Sequence, residues 1–317
     1  MEKKYVIGID VGGQSVKLGV IDRDARIVAR SRFDMLVYGY DDTDRFLEDL
    51  CSNVRELISS SVGIENICGI GIGAPNGNYY DGTVVDAPNL PWSKGKVVPV
   101  CSYLSEKMGL QVTLTNDANA AAIGEMTYGN ARGMKNFIEI TLGTGVGSGI
   151  VTDGRVLYGH DGHAGELGHT IAVRDGRKCG CGRNGCLEAY ASSRGVVMTA
   201  KEMLEASSEA SLLRDIENLS SKDVYDAAVK GDKIALEVFS FTGKILGRQF
   251  ADFVAFSAPE AIILFGGVSN AGDLLLDSVR ASMEEEILSL WRGKVKVLRS
   301  GLPESDAAIL GAGALAW

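Results

Sequence analysis

One stretch of the 317-residue chain gathers most of its metal-binding chemistry. His169 is followed by Cys179, Cys181 and Cys186, a His-x9-Cys-x-Cys-x4-Cys spacing set among glycines 180, 182 and 185. Thiolate and imidazole are the ligands Zn(II) takes in a closed tetrahedral site. The glycines let the backbone curl tightly enough for neighbouring sulfurs to reach one ion. A disulfide or three unconnected core thiols are the alternatives. Cysteines two apart rarely reach disulfide geometry, and nothing points to an oxidising compartment, so the spacing predicts structural zinc. Two acids flank the knuckle, Glu166 before His169 and Glu188 after Cys186. Carboxylates held there can accept hydrogen bonds from sugar hydroxyls, although by spacing alone each reads as an ordinary solvated glutamate.

Two glycine turns could face phosphate. Asp10-Val-Gly12-Gly13-Gln14 separates strand patterns at 5–10 and 16–21. Backbone N–H groups in such a turn can cradle phosphate oxygens, and Asp10 can hold Mg(II), usually through water. Taken alone, the segment is equally an ordinary hairpin. A second strand–turn–strand carries Gly143, Thr144, Gly145, Gly147 and Gly149. Alternating glycines weaken a sheet unless a ligand or backbone approaches closely. Neither turn is a Walker loop, which needs a Lys-Ser/Thr pair opening a helix. Laid without gaps, 6–22 and 137–153 match at Ile7/Ile138, Ile9/Ile140, Gly12/Gly143, Val20/Val151 and Asp22/Asp153, which reads as an internal duplication. Asn116-Asp117 ends a strand and opens an Ala-rich helix. Asp117 there reads either as a helix N-cap or as a general base for a hydroxyl proton.

The elements that must position these residues follow from periodicity. A third strand is expected at 26–30, and a helix after Asp41-Asp42, an N-cap signal, with Phe46, Leu47, Leu50, Val54, Leu57 and Ile58 at helical spacing. A buried strand is expected at 67–73, a long amphipathic helix at 232–256 ended by Pro259, and a strand from 261 into Gly266-Gly267. A last strand at 294–298 and a small-residue helix at 305–316 complete the chain. Composition, 45% hydrophobic and 23% charged, supports real cores, and the length suggests about two domains. A net charge of −9 argues against general nucleic-acid or anionic-membrane binding. No secretory leader pattern opens the chain, and no apolar run approaches the ~20 residues that span a bilayer, so a soluble, cytoplasmic protein is expected. Cys51, Cys68 and Cys101 read as reduced, partly buried thiols.

Glu-Leu-Gly-His169, Cys-Gly-Cys-Gly-Arg-Asn-Gly-Cys-Leu-Glu188 and Asn-Asp117-Ala-Asn-Ala-Ala resemble the motifs of the ROK family, named for repressors, open reading frames and sugar kinases. Further motifs recur in the family's order from residue 8 to residue 313. The resemblance implies an α/β fold of two similar actin-like (ribonuclease H-like) lobes with a nucleotide and sugar cleft between them. It places 1–115 with 301–317 in the N-terminal lobe, and 116–300 with the knuckle in the C-terminal lobe. It implies ATP, Mg2+ and structural Zn2+, and phosphorylation of the 6-hydroxyl of a hexose, glucose first, with Asp117 as general base. Gly73, Asn89, Asn116, Glu166, His169 and Glu188 would join Asp117 around the sugar, His169 binding zinc through one ring nitrogen and a hydroxyl through the other. Asp10, Gly12, Gly13, Gln14, Gly143, Thr144, Gly145, Gly266 and Gly267 would face the nucleotide.

The chain departs from the family pattern in places. Gln14 stands where the family has Thr, Asn76-Gly77 alters a Gly-Ala-Pro-Gly segment, and Phe265 replaces the first of three glycines. Trp92 reads as a packing residue and Lys17 as a solvent-facing strand lysine. A homodimer or homotetramer is implied. N-acetylmannosamine, N-acetylglucosamine, fructose and allose are alternative substrates, and a sugar-binding regulator is the alternative from another class. Such regulators carry a helix-turn-helix segment ahead of the first strand, where four residues stand here.

Overall fold

The structure, a computed structural model, describes residues 4–303 and 306–317. β1 (Tyr5–Val11) carries Val6, Ile7 and Ile9 with no exposed surface, the run expected of a strand covered on both faces. It turns into antiparallel β2 (Ser15–Asp22), which pairs in turn with β3 (Ile27–Asp34). β3 alternates half-buried and exposed residues, as an edge strand does. α1 (Thr43–Ser59) buries the six expected apolar positions and Cys51. It begins at the Asp41-Asp42 signal, but Asp42 does not cap it. With φ −91° and ψ 22° the residue lacks the extended backbone that aims a capping carboxylate at the helix, and that carboxylate accepts the Gly39 N–H at 2.7 Å instead.

β4 (Ile67–Gly73) lies parallel to β1. β5 (Gly77–Asn78), β6 (Thr83–Val85) and β7 (Val97–Val98) form a small antiparallel sheet, followed by α2 (Val100–Met108). β8 (Val112–Thr115), parallel to β4, leads into α3 (Asp117–Tyr128). The main sheet runs β3-β2-β1-β4-β8. Trp92 is fully buried and stacks on Phe46 with ring centroids 4.0 Å apart, so it is a packing residue.

The pattern then repeats. β9 (Phe137–Leu142) and β10 (Val146–Thr152) form the second hairpin, followed by the short edge strand β11 (Arg155–Val156). After the knuckle come α4 (Glu188–Ala191), α5 (Ser193–Ala206), α6 (Ser221–Val229) and α7 (Lys233–Ser257). Asp232 caps α7 by accepting the Ala235 N–H at 3.0 Å. β12 (Ala261–Phe265), α8 (Asp273–Glu286) and β13 (Lys296–Arg299) follow. The second sheet, β11-β10-β9-β12-β13, has the order of the first strand for strand, with β12 parallel to both its neighbours as β4 is. The duplication holds in topology, while the gapless match fails past the turn. Ile7 pairs with Val20, but Ile138 pairs with Ile150 rather than Val151. The first turn spends residues 12–15 between paired strand ends and the second only 143–145, so everything after it shifts by one. The last strand likewise starts later than expected, because the Lys294 N–H is taken by the Trp291 carbonyl in a preceding turn.

Two compact units emerge: unit 1 is Met1–Gly133, Val156–Gly165 and Gly301–Trp317, and unit 2 is Met134–Arg155 and Glu166–Ser300. The expected break after residue 115 is therefore displaced, and α3 belongs to unit 1. The reason is α9 (Ala307–Ala314), the small-residue helix, whose expected start at Ser305 lies outside the described residues. α9 lies against both α3 and the first sheet at backbone distance. A Cβ on Gly311 would meet the Ala120 carbonyl at 2.4 Å, and one on Gly71 would meet the Ala312 carbonyl at 1.8 Å. Gly71→Ala should lower unfolding stability by about 1–3 kcal/mol, the usual cost of overpacking. Thermal melts test this, and a midpoint equal to the parent's would show that α9 is not seated on the sheet.

Candidate active site and metal centre

In unit 1 the strand register assembles the first half of the chemistry. Asp10 pairs with Gly73, and Gly73 with Thr115, so three neighbouring parallel strands end side by side. Ligand groups collect at such carboxyl edges. Asn116 and Asp117 come next in the chain. Asn116 takes the N-cap position, its Oδ1 accepting the Asn119 N–H at 2.7 Å. That settles the capping question: Asp117 is the first helical residue, its carboxylate taking the adjacent Ala118 N–H at 2.9 Å and feeling its own N–H. The Asp117 carboxylate keeps surface exposed to water yet is enclosed by protein at longer range. Loss of hydration raises its pKa, and the Ala118 N–H only partly offsets this.

Asp10 is pushed up to about 6, chiefly by burial, with Lys17 pulling it down and Asp117 adding repulsion. Lys17 is not simply solvent-facing: its Nζ lies 3.8 Å from Asp10 Oδ2, because Asp10 and Lys17 are cross-strand partners. Gly13 faces Asn89, where a Cβ would sit 3.1 Å from the Asn89 carbonyl. Gly12 shapes the turn through its N–H to the Ser15 carbonyl, and Gln14 is exposed with its carbonyl bound by the Met35 N–H. Gly73 is buried beneath α3, 3.2 Å from Ala120 Cβ if it carried a Cβ, so it makes room for the Asp117 turn.

In unit 2 the glycine turn and the knuckle meet at one side chain. Glu188 Oε2 accepts the Val146 N–H at 3.0 Å, and Oε1 lies 3.5 Å from Cys179 Sγ. A Cβ on Gly145 would fall 2.6 Å from Oε2, so this glycine clears space for the glutamate as well as shaping the turn. The Gly143 N–H donates to the Gly145 carbonyl, and Thr144 stands exposed between them. Gly266 follows β12, whose last residue Phe265 pairs with Thr141, so it reaches the edge where β9 ends. It needs its positive φ of 95°.

The knuckle itself folds on two isolated bridges, Ile171 with Cys186 and Lys178 with Asn184. Gly185 has φ 80°, and a Cβ there would clash with the Val173 carbonyl at 1.8 Å, while Gly180 has neither constraint. The ligand atoms of His169, Cys179, Cys181 and Cys186 all lie within 4.8 Å of one another. Cys181 and Cys186 Sγ are 3.7 Å apart, and Cys179 Sγ is 3.7 Å from His169 Nδ1. Bonds of about 2.3 Å at tetrahedral angles give sulfur–sulfur edges of about 3.8 Å, so the spacing fits one tetrahedral ion and not a disulfide. The donor set fits as well. Burial pushes the Cys179 thiol up to about 12, whereas the Arg183 N–H lowers Cys181, and a divalent cation is what lets clustered sulfurs ionise together. All six cysteines are free thiols.

Not every expected residue converges. Glu166 is exposed on the turn before His169 and makes no capping hydrogen bond. Gly267 instead lines a cavity of about 340 Å³ with Tyr225, Phe239, Val268 and Ala271. The α6 part of that wall escaped the sequence reading, since Tyr225 sits in an ordinary amphipathic helix far from any glycine motif.

Two twin α/β units, each with a glycine hairpin at the carboxyl edge of a mixed sheet, define the two-lobed actin-like class of phosphoryl-handling folds. The ROK family profile matches residues 6–317, and the chain belongs to the ROK family. It is glucokinase-like within it. The Thermotoga maritima glucokinase is 34% identical over 320 residues, covering 99% of this chain and 98% of the relative. The Streptomyces coelicolor glucokinase is 35% identical, covering 98% and 96%. A solved ROK glucokinase from Streptomyces griseus, in complex with glucose and AMPPNP, superposes with a TM-score of 0.79 at 34% identity over 98% of both chains. Among the described residues no helix is long and apolar enough to cross a membrane.

Elemental analysis of the purified chain should return about one zinc per chain, and Cys186→Ser should remove it together with part of the thermal stability. A metal-free parent with an unchanged melt would contradict the tetrahedral fit.

Proposed function

We propose that the chain is an ATP-dependent hexose kinase that phosphorylates the 6-hydroxyl of glucose. The observation that carries this reading is the released carboxylate. Asn116 does the capping, leaving Asp117 partly dehydrated and free at the strand edge where Asp10 also ends. Asp117 takes the hydroxyl proton, the oxygen attacks the γ-phosphorus, and ADP departs with the electrons of the broken P–O bond. Asn89, the Asn116 amide Nδ2, Glu166, Glu188 and the Nε2 of His169 are the groups that would orient the sugar. Nε2 is available because Nδ1 is the nitrogen turned toward the cysteines, and zinc on Nδ1 would fix the ring's orientation. Magnesium, taken by Asp10, would offset phosphate charge.

ATP as donor is supported by the cavity beside Gly267, whose Tyr225, Phe239 and Val268 suit a flat heterocycle that a bare phosphate chain lacks. The AMPPNP bound to the Streptomyces griseus relative accords with this. The Gly12-Gly13 and Gly143-Thr144-Gly145 turns supply the phosphate-facing N–H groups.

A coupled assay over glucose, fructose, N-acetylmannosamine and N-acetylglucosamine tests the reading, with glucose expected to give the highest kcat/KM; loss of all turnover would sink it. Asp117→Asn should lower kcat by about 10²–10⁴-fold with glucose affinity nearly intact. Because the pKa of Asp117 is raised, the active base is lost as pH falls through that raised value. The acid limb of kcat/KM should therefore sit above the ~3.9 of an ordinary aspartate. The same shift has a sign for stability. Above the raised folded pKa the ionised carboxylate opposes folding, so Asp117→Asn should melt higher than the parent at pH 7. A lower melt would mean that the carboxylate is not dehydrated.

A further inference from the structure

Between β11 and Glu166 the chain makes an excursion, Val156–Gly165, that belongs to unit 1. It closes on itself: the Ala164 N–H donates to the Tyr158 carbonyl at 3.1 Å. Three fasteners then hold it to the β5–β6 hairpin. The Tyr158 ring stacks on Tyr79 with centroids 4.0 Å apart and planes 5° from parallel. The Tyr80 hydroxyl donates to the Gly159 carbonyl at 2.6 Å. Asn78, only 9% exposed, donates through Nδ2 to the Asp161 carbonyl at 2.8 Å, while its Oδ1 accepts the Tyr80 N–H at 2.9 Å.

These contacts bury little apolar surface, since Tyr79 and Tyr80 remain 40% and 59% exposed. Their common result is a loop with one fixed place. A single residue, Gly165, separates that loop from Glu166, and His169 follows one turn later. The Glu166 carbonyl accepts the His169 N–H at 3.1 Å and the Leu167 N–H donates to Ser148 Oγ, so the chain is held after Glu166, and the loop decides how it is held before it.

We infer that Asn78, Tyr79, Tyr80 and Tyr158 are positioning residues for the sugar, a clasp that fixes the loop from which the chain enters Glu166. The inference rests on the hexose-kinase reading. It affects the sugar side alone, because no phosphate-turn or cavity residue lies in the excursion.

The test combines steady-state kinetics against glucose and against Mg-ATP with amide hydrogen exchange of the ligand-free chain. Tyr158→Ala should raise the glucose KM about ten-fold and leave the Mg-ATP KM within about two-fold. Tyr158→Phe keeps the stack and loses the interaction of its hydroxyl with Thr115, so its glucose KM should rise no more than about three-fold, well short of the alanine variant. Tyr80→Phe loses one hydrogen bond and should raise the glucose KM about three-fold. Exchange across 158–169 should quicken in Tyr158→Ala. Equal rises in both KM values, or an unchanged glucose KM, overturn the inference, and Tyr80→Phe decides the matter if the alanine variant does not fold. A parent that phosphorylates no hexose overturns the kinase reading, whereas exchange at 166–169 identical in parent and variant overturns the clasp itself.

Discussion

The parallel register of β1, β4 and β8 is the constraint that brings the carboxylates of unit 1 together. Hydrogen bonding aligns Asp10 with Gly73 and Gly73 with Thr115, so two carboxylates from distant parts of the sequence finish at one sheet edge. Their proximity has an electrostatic consequence visible in Asp10, which feels Asp117 as well as its own burial. Lys17 enters from β2 because antiparallel pairing places it opposite Asp10. A one-residue slip in any of these pairings would turn the side chains to the other face.

Unit 2 solves a different problem, holding a glutamate still beside a turn made of glycine. Glu188 Oε2 is held by a backbone N–H of the turn, while its Oε1 lies 3.5 Å from Cys179 Sγ of the knuckle. The absent Cβ at Gly145 is what lets the carboxylate come so close. The knuckle is joined to the sheet by the Leu167 N–H, which donates to Ser148 Oγ of β10, and is braced within itself by the Arg183 guanidinium, which donates to the His169 carbonyl. An ion at the sulfurs would therefore be coupled to the geometry of the glycine turn, though the two lie far apart in sequence.

Much of this was legible in the residue pattern. Strand–glycine–strand hairpins announce themselves through apolar alternation broken by residues of special conformation, and the cysteine spacing carries its own geometry. What stayed hidden was set by contacts between segments remote in sequence. The Asp117 ambiguity could not be resolved in one dimension, because Asn116 and Asp117 are both good N-caps and only the observed backbone assigns the role. The one-residue difference between the hairpin turns defeats gapless matching for the same reason. The placement of α3 in unit 1 depends on α9, which comes from the far end of the chain, and the Tyr225 wall depends on how α6 folds back over the turn after β12.

That far-end helix also bears on biogenesis. Synthesis runs from the N- to the C-terminus, so the glycine-bearing face formed by Gly8 and Gly71 emerges from the ribosome long before α9, which covers it. Unit 2 has every one of its strands and helices in hand before that cover arrives. The core between the first sheet, α1 and α2 is complete without α9, so the glycine-bearing face is the last surface of unit 1 to be covered, and for most of elongation it stands open.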